Sequence, residues 1–252
     1  MLEAEIRRRK RDRDILLMTH IVLGYPDFDT SRRLVEQMVL AGVDLMELQI
    51  PFSEPMADGP VILHANQKAL AGGATVDRCL ELTSRLTREF PISFLFMTYF
   101  NIAFVRGVDR FAREMAQAGV RGAIVADLPF EEGEPLLAAM EREQLDPIFV
   151  FTPSSRPERM ARIAERAKGL VYCAARKGVT GSATDFDALD GYLQRCRGAT
   201  DLPLALGFGV KAREDVAAIT GKVEIAVVGS ETIRVLEQGG VEAVRPFLES
   251  LR

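Results

Sequence analysis

The sequence predicts an α/β fold, a (β/α)8 barrel built as a single domain, and three observations predict it. Eight short apolar runs rich in β-branched residues recur along the chain. Amphipathic helical patterns separate them, and no linker or composition break divides the 252 residues. Residues 1–15 are expected as a basic N-terminal helix and 16–252 as the barrel. The first strand is 16–24 (LLMTHIVLG), and the segment 29–42 (DTSRRLVEQMVLAG) behind it reads as a helix that stops at glycine. The second strand is 45–51 (LMELQIP) and the third 92–99 (ISFLFMTY). In the helical segment 108–119 (VDRFAREMAQAG), Phe111, Met115 and Ala118 share one face, leaving Arg110, Arg113 and Glu114 for solvent. The remaining strands are 122–129 (GAIVADLP), 146–153 (DPIFVFTP), 169–176 (GLVYCAAR), 203–210 (PLALGFGV) and 224–230 (EIAVVGS). A doubly wound sheet is the competing arrangement, but eight regular units favour closure.

Composition bounds the function. The chain is 48% hydrophobic and 27% charged with net charge −4, an ordinary soluble balance that lacks the clustered basic excess of a nucleic-acid binder. The local exception is RRRKRDR at 7–13, expected as a solvated helix. No apolar run approaches the ~18 residues of a membrane span, and the charged start lacks a secretory apolar stretch. Cys79, Cys173 and Cys196 are odd in number and widely spaced, which suggests reduced thiols in a cytoplasmic protein. They and the two histidines give no metal-ligand pattern, so no metal is expected.

In such a barrel, chemistry sits where strands end and loops begin. The stretch LMELQIPFSEPMADGP at 45–60 puts Glu47 near the end of the second strand and Asp58 in the loop after it. Alternation turns Met46, Leu48 and Ile50 toward the helices and Glu47 and Gln49 inward. An ionised carboxylate in an apolar barrel is costly unless it is paired or working, so Glu47 and Asp58 are the candidate catalytic pair. The structural alternative is a glutamate buried for its hydrogen bonds alone. A second constellation lies in the far half, where RKGVTG (176–181), GFGV (207–210) and VVGSET (227–232) each follow a strand. Glycine turns leading into helix starts expose backbone N–H groups to an anion, and three of them at one end of the barrel predict a phosphate site, with the Ser230 hydroxyl beside Gly229.

ELQIPFSEPMADGP, VADLP, RKGVTG, GFGV and VVGS occur in the order found in tryptophan synthase α subunits, which the chain resembles from about Leu16 onward. The resemblance implies a TIM barrel and a lyase of tryptophan biosynthesis that cleaves indole-3-glycerol phosphate to indole and glyceraldehyde 3-phosphate. It implies a β subunit as partner, in an α2β2 assembly, with pyridoxal phosphate (PLP) only in that β subunit and no cofactor in this chain. The family's catalytic glutamate falls on Glu47 and its aspartate on Asp58. Its phosphate-binding positions fall on Gly181, Gly209, Gly229 and Ser230, its tyrosine near the site on Tyr172, and its loop threonine on Thr180.

Those residue types suit the reaction. Retro-aldol cleavage needs a proton delivered to indole C3, charge stabilised near the ring N–H, and a proton removed from the glycerol hydroxyl. Glu47 is the residue for the proton transfers and Asp58 for the ring N–H. The anchored phosphate supplies remote binding energy, and closure of the loop at 176–181 would shut out water.

Two positions depart from the family pattern. Gln49 stands where glycine is usual and His20 where phenylalanine is usual, so the pocket is expected to diverge: Gln49 to fill indole space or bond Glu47, and His20 to bring a group that charges near neutral pH. Glu54 replaces a usual aspartate in the loop that meets the β subunit, and Tyr25 replaces another. With the short, basic N-terminal helix, these changes would retune β-subunit association. Alongside the standard lyase stand an altered-substrate or free-standing lyase and a catalytically weak regulatory partner of a β subunit.

Overall fold

The computed structural model describes residues 2–175, 186–207 and 209–252. Thr180 and Gly181, with the rest of the loop at 176–181, lie outside the described residues. In chain order the elements are α1 (Leu2–Lys10), β1 (Leu16–Val22), α2 (Phe28–Leu40), β2 (Leu45–Gln49), α3 (Pro60–Ala71), α4 (Val76–Glu89) and β3 (Ser93–Thr98). There follow α5 (Phe100–Arg106), α6 (Val108–Ala118), β4 (Gly122–Val125), α7 (Glu134–Arg142), β5 (Asp146–Phe151), α8 (Pro157–Ala164) and β6 (Val171–Ala174). The chain ends with α9 (Phe186–Ala199), β7 (Leu204–Gly207), α10 (Arg213–Ile219), β8 (Ile225–Val228), α11 (Ser230–Gly239) and α12 (Val244–Ser250).

The eight strands pair in sequence order, all parallel, and β8 returns to β1 through Leu16↔Ile225 to Thr19↔Val228. That closing ladder decides between the barrel and the doubly wound sheet in favour of the (β/α)8 barrel. Every expected strand is present but shorter than its apolar run. In a parallel barrel the flanks are buried by helices and loops as well, so Leu23 and Ile50 stay buried past the paired residues.

Alternation divides the core into two layers. Met46, Leu48 and Ile50 join the outer layer between strands and helices, with Phe111 and Met115 of α6 in the same layer. Met18, Leu45, Met97, Ile148 and Val227 fill the barrel interior. The α6 helix ends at Gly119, whose φ of +84° is the left-handed stop that glycine favours. The α2 helix begins on Asp27, whose carboxylate accepts the Thr30 N–H at 2.7 Å.

The basic start departs from expectation. Leu2 and Ile6, one helical turn apart on α1, are buried in the interior layer with Leu16, Leu45 and Leu170, so α1 closes the barrel beneath the strand starts. Two of its neighbouring arginines are not free in solvent either. Arg9 and Arg13 reach Asp44, whose side chain is fully buried just before β2, and Arg252 joins them at 3.1 Å. Arg7, Arg8 and Arg11 fit the solvated reading.

Candidate active site

The strand register builds the centre of the site. His20 and Glu47 are partners across β1 and β2, and both point inward. They meet as His20 Nδ1 to Glu47 Oε2 at 3.0 Å, with His20 4% and Glu47 3% exposed. Burial works to lower the His20 pKa, but the hydrogen bond and charge of Glu47, backed by the charge of Asp58, outweigh it and hold the imidazole above its ordinary value. Among the described residues neither His20 Nε2 nor Glu47 Oε1 has a hydrogen-bond partner.

Gln49, the last residue of β2, shares that inward face, but it does not bond Glu47. Its Nε2 donates to Asp58 Oδ2 at 2.6 Å. The glutamine therefore spans from the strand to the loop and fixes the second carboxylate. Tyr99, immediately after β3, donates its hydroxyl to the same Oδ2 at 3.0 Å and accepts the Ala57 N–H at 3.2 Å. Its ring stacks on Phe52, 5.1 Å between centroids. Buried Asn66 of α3 holds the start of this loop by accepting the Phe52 N–H at 2.9 Å. Burial pushes the Asp58 carboxyl above the usual carboxylate range, against the opposing pull of the His20 charge and of the Gln49 and Tyr99 hydrogen bonds.

Tyr172 points inward from β6, across the barrel from these acids. Burial, reinforced by the charges of Glu47 and Asp58, pushes its hydroxyl well above the ordinary tyrosine range and keeps it a neutral donor. Its hydroxyl occupies the space over Gly207, where a Cβ would lie 2.2 Å from the oxygen. Only a glycine at the end of β7 leaves room for this tyrosine.

Gly209 follows β7 with a φ of +87°, and Gly229 links β8 directly to α11, which opens at Ser230. Two of the three glycine turns therefore lie at the strand ends of the same barrel face. Inside α11, Thr232 Oγ1 donates to the Gly229 carbonyl at 2.6 Å and lies 3.2 Å from the His20 carbonyl, tying this helix start to β1. Among the described residues no three His, Cys, Asp or Glu side chains converge on a metal site.

Sequence reasoning missed Tyr99, Asn66 and Thr232. Tyr99 carried a readable signal, a polar-tipped side chain at the end of the third apolar run. Asn66 and Thr232 sit inside helical patterns and carried none.

A tryptophan synthase alpha chain family model matches residues 6–248. The chain belongs to that family. A tryptophan synthase alpha chain of Desulforapulum autotrophicum is 61% identical over 252 residues, covering 100% of both chains. Among solved structures, tryptophan synthase of Mycobacterium tuberculosis superposes with a TM-score of 0.93 at 34% identity, covering 99% of this chain and 96% of that one. A tryptophan synthase complex from Pyrococcus furiosus gives 0.85 at 26% identity, covering 94% and 97%. The described part of the site has one acid in β2, a second in the loop after it, and glycine turns beside the last two strands. His20 and Gln49 each attach to one of those acids.

Proposed function

We propose that this chain is the α subunit lyase of tryptophan biosynthesis, cleaving indole-3-glycerol phosphate to indole and glyceraldehyde 3-phosphate. The observation that carries the reading is the pair Glu47 and Asp58, held apart on separate hydrogen-bonded partners at the C-terminal mouth of the barrel. Glu47 delivers a proton to indole C3 and takes one from the glycerol hydroxyl as the carbon–carbon bond breaks and its electron pair returns to the ring. Asp58, anchored through Oδ2, stabilises the positive charge that builds at the ring N–H. Gly209, Gly229 and Ser230 would hold the phosphate, with the first turn of α11 presenting its N–H groups to the anion. Thr180 and Gly181 enter the same reading through the family motif, and Tyr172 as a neutral donor on the opposite wall.

These proton transfers ask for no metal and no organic cofactor in this chain, and the family resemblance assigns PLP to the partner. The partner is a β subunit, in an α2β2 assembly in the cytoplasm. Support comes from the segments that follow β2 and β3, where Met56 in the loop after β2 and Phe104 and Val105 of α5 are 82%, 67% and 77% exposed. Exposed apolar side chains beside an active-site loop suit a protein partner that receives indole. The basic N-terminal helix has no part in this surface, since it packs beneath the strand starts. Among the described residues no helix is long and apolar enough to cross a membrane. An altered substrate or a purely regulatory role is not favoured, since neither His20 nor Gln49 displaces an acid from the mouth.

The test is indole release from indole-3-glycerol phosphate by the full chain, with and without a β subunit. Glu47→Gln should lower kcat by about 10²–10⁴-fold while the barrel remains folded. Undiminished turnover in that variant would remove Glu47 from the chemistry.

A further inference from the structure

An inward-facing histidine bonded to the candidate acid is a second titratable group at a site whose chemistry is proton exchange. The two side chains are register partners in adjacent strands, so their 3.0 Å contact is set by the barrel ladder and not by a loop. Both are almost fully buried. His20 is fixed from behind as well, because its carbonyl faces the Thr232 hydroxyl of α11 at 3.2 Å.

We propose that His20 is a positioning residue for Glu47: it holds Oε2 through Nδ1 and shares a proton with it, so that Oε1 is the oxygen left to exchange protons with substrate. This role rests on the lyase reading of the site. With one proton on the pair, two arrangements have the same proton count: imidazolium with carboxylate, and neutral imidazole with carboxylic acid. In the second, Nδ1–H still donates to Oε2, Nε2 has released its proton to solvent and Oε1 has taken one up, so the count is unchanged. That proton goes to indole C3, the glycerol hydroxyl proton returns to Oε1, and the pair ends as it began. A lone carboxyl loses its acid form when its own proton leaves, whereas the pair keeps its proton until the imidazole titrates.

The surrounding groups favour the protonated pair. Glu47 and Gln49 face His20 from β2, and Asp58 adds negative charge from the following loop. Tyr99 bonds Asp58 from the β3 side, and Tyr172 of β6 is neutral. The adjoining β8 contributes apolar Val227 to the interior layer.

The chain has only two histidines, and His64 is exposed, so imidazole NMR reads the pair directly. In the full chain, the resonance that survives in His64→Gln should titrate above pH 6.5 and move down in Glu47→Gln. The alkaline limb of kcat for indole release should coincide with that titration. His20→Asn keeps a donor near Oε2 but cannot titrate, and should lower kcat about tenfold with KM within about twofold while the alkaline limb moves. His20→Phe should move the limb equally and lower kcat further. An unchanged limb in both variants, or a His20 resonance indifferent to Glu47→Gln, would overturn the proposal. Absence of indole release by the wild-type chain with a β subunit would instead overturn the lyase reading and the catalytic role with it. The NMR result would then stand as a statement about the pairing alone.

Discussion

Two buried carboxylates, Asp44 and Glu47, lie three residues apart, the first just before β2 and the second in its middle, and are treated in opposite ways. Asp44 is saturated. Arg13 and the more distant Arg9 meet one oxygen, and the other takes Arg252 at 3.1 Å and the Leu17 N–H at 3.0 Å. Glu47 has one oxygen on a histidine and the other without a partner among the described residues. Arginine is charged at every working pH, so Asp44 faces permanent countercharge at the closed end of the barrel. Histidine is charged only conditionally, so the proton count at the open end can change. A buried acid with all acceptors taken by fixed donors is a brace. One with a titratable partner and a spare oxygen is equipped to react.

The sharpest way to break this comparison is to remove both acids in turn. Asp44→Ala takes this carboxylate from three arginines and a buried backbone N–H and should cost about 3–5 kcal/mol of stability. At this chain length that corresponds to a fall in Tm of roughly 6–20 °C. Turnover per folded molecule should stay within about twofold of wild type, because the residue lies beneath the strands and away from the mouth. Thermal denaturation and indole release on the same samples check both halves. A large loss of kcat at full stability would show that the two carboxylates do not divide the work.

Asp58→Asn comes next in size. Loss of the anionic group near the ring N–H should lower kcat about 10²–10³-fold. Stability should move the other way. The folded-state pKa of Asp58 is raised, so the folded chain holds its proton more tightly than the unfolded chain does, and stability falls as pH rises through that range. Asparagine removes this loss, so the variant should melt higher than wild type at neutral pH and converge with it in acid. A variant that melts lower at neutral pH would mean that the hydrogen bonds from Gln49 and Tyr99 outweigh burial.

The contrast also marks what the sequence makes legible. Both the barrel and the inward aim of Glu47 and Gln49 follow from local rules, namely apolar runs, helix stops and alternation. The destinations of side chains do not. Of the two expectations for Gln49, a bond to Glu47 is not met: its amide reaches the loop carboxylate at 2.6 Å, because strand and loop approach each other only in the fold. The brace at Asp44 joins residues 9, 13, 44 and 252, and no local pattern pairs the two ends of a chain. RRRKRDR looked solvated for the same reason: the apolar residues that seat the helix, Leu2 and Ile6, stand outside the basic run and gain meaning only beneath a closed barrel. Gly207 was visible as one glycine of GFGV, yet its necessity comes from a tyrosine 35 residues earlier that swings over it.

The smallest effect tests the conditional charge itself, and it appears as a slope. His20 has a folded-state pKa raised above 6.5, so its pairing with Glu47 contributes stability that is fully present below pH 6.5 and is lost as pH rises through the folded value. Wild-type Tm should therefore decline across that window, and His20→Phe should flatten the decline. Asp58 adds a decline of the same sign that starts at lower pH, so the His20→Phe profile is best compared in the Asp58→Asn background, where that contribution is removed. Asp44 supplies the control: its arginine partners do not titrate there, so Asp44→Ala should lower the whole profile and leave the slope unchanged. If His20→Phe kept the wild-type slope, the imidazole would be a neutral packing group, and the difference between the two carboxylates would lie in geometry alone.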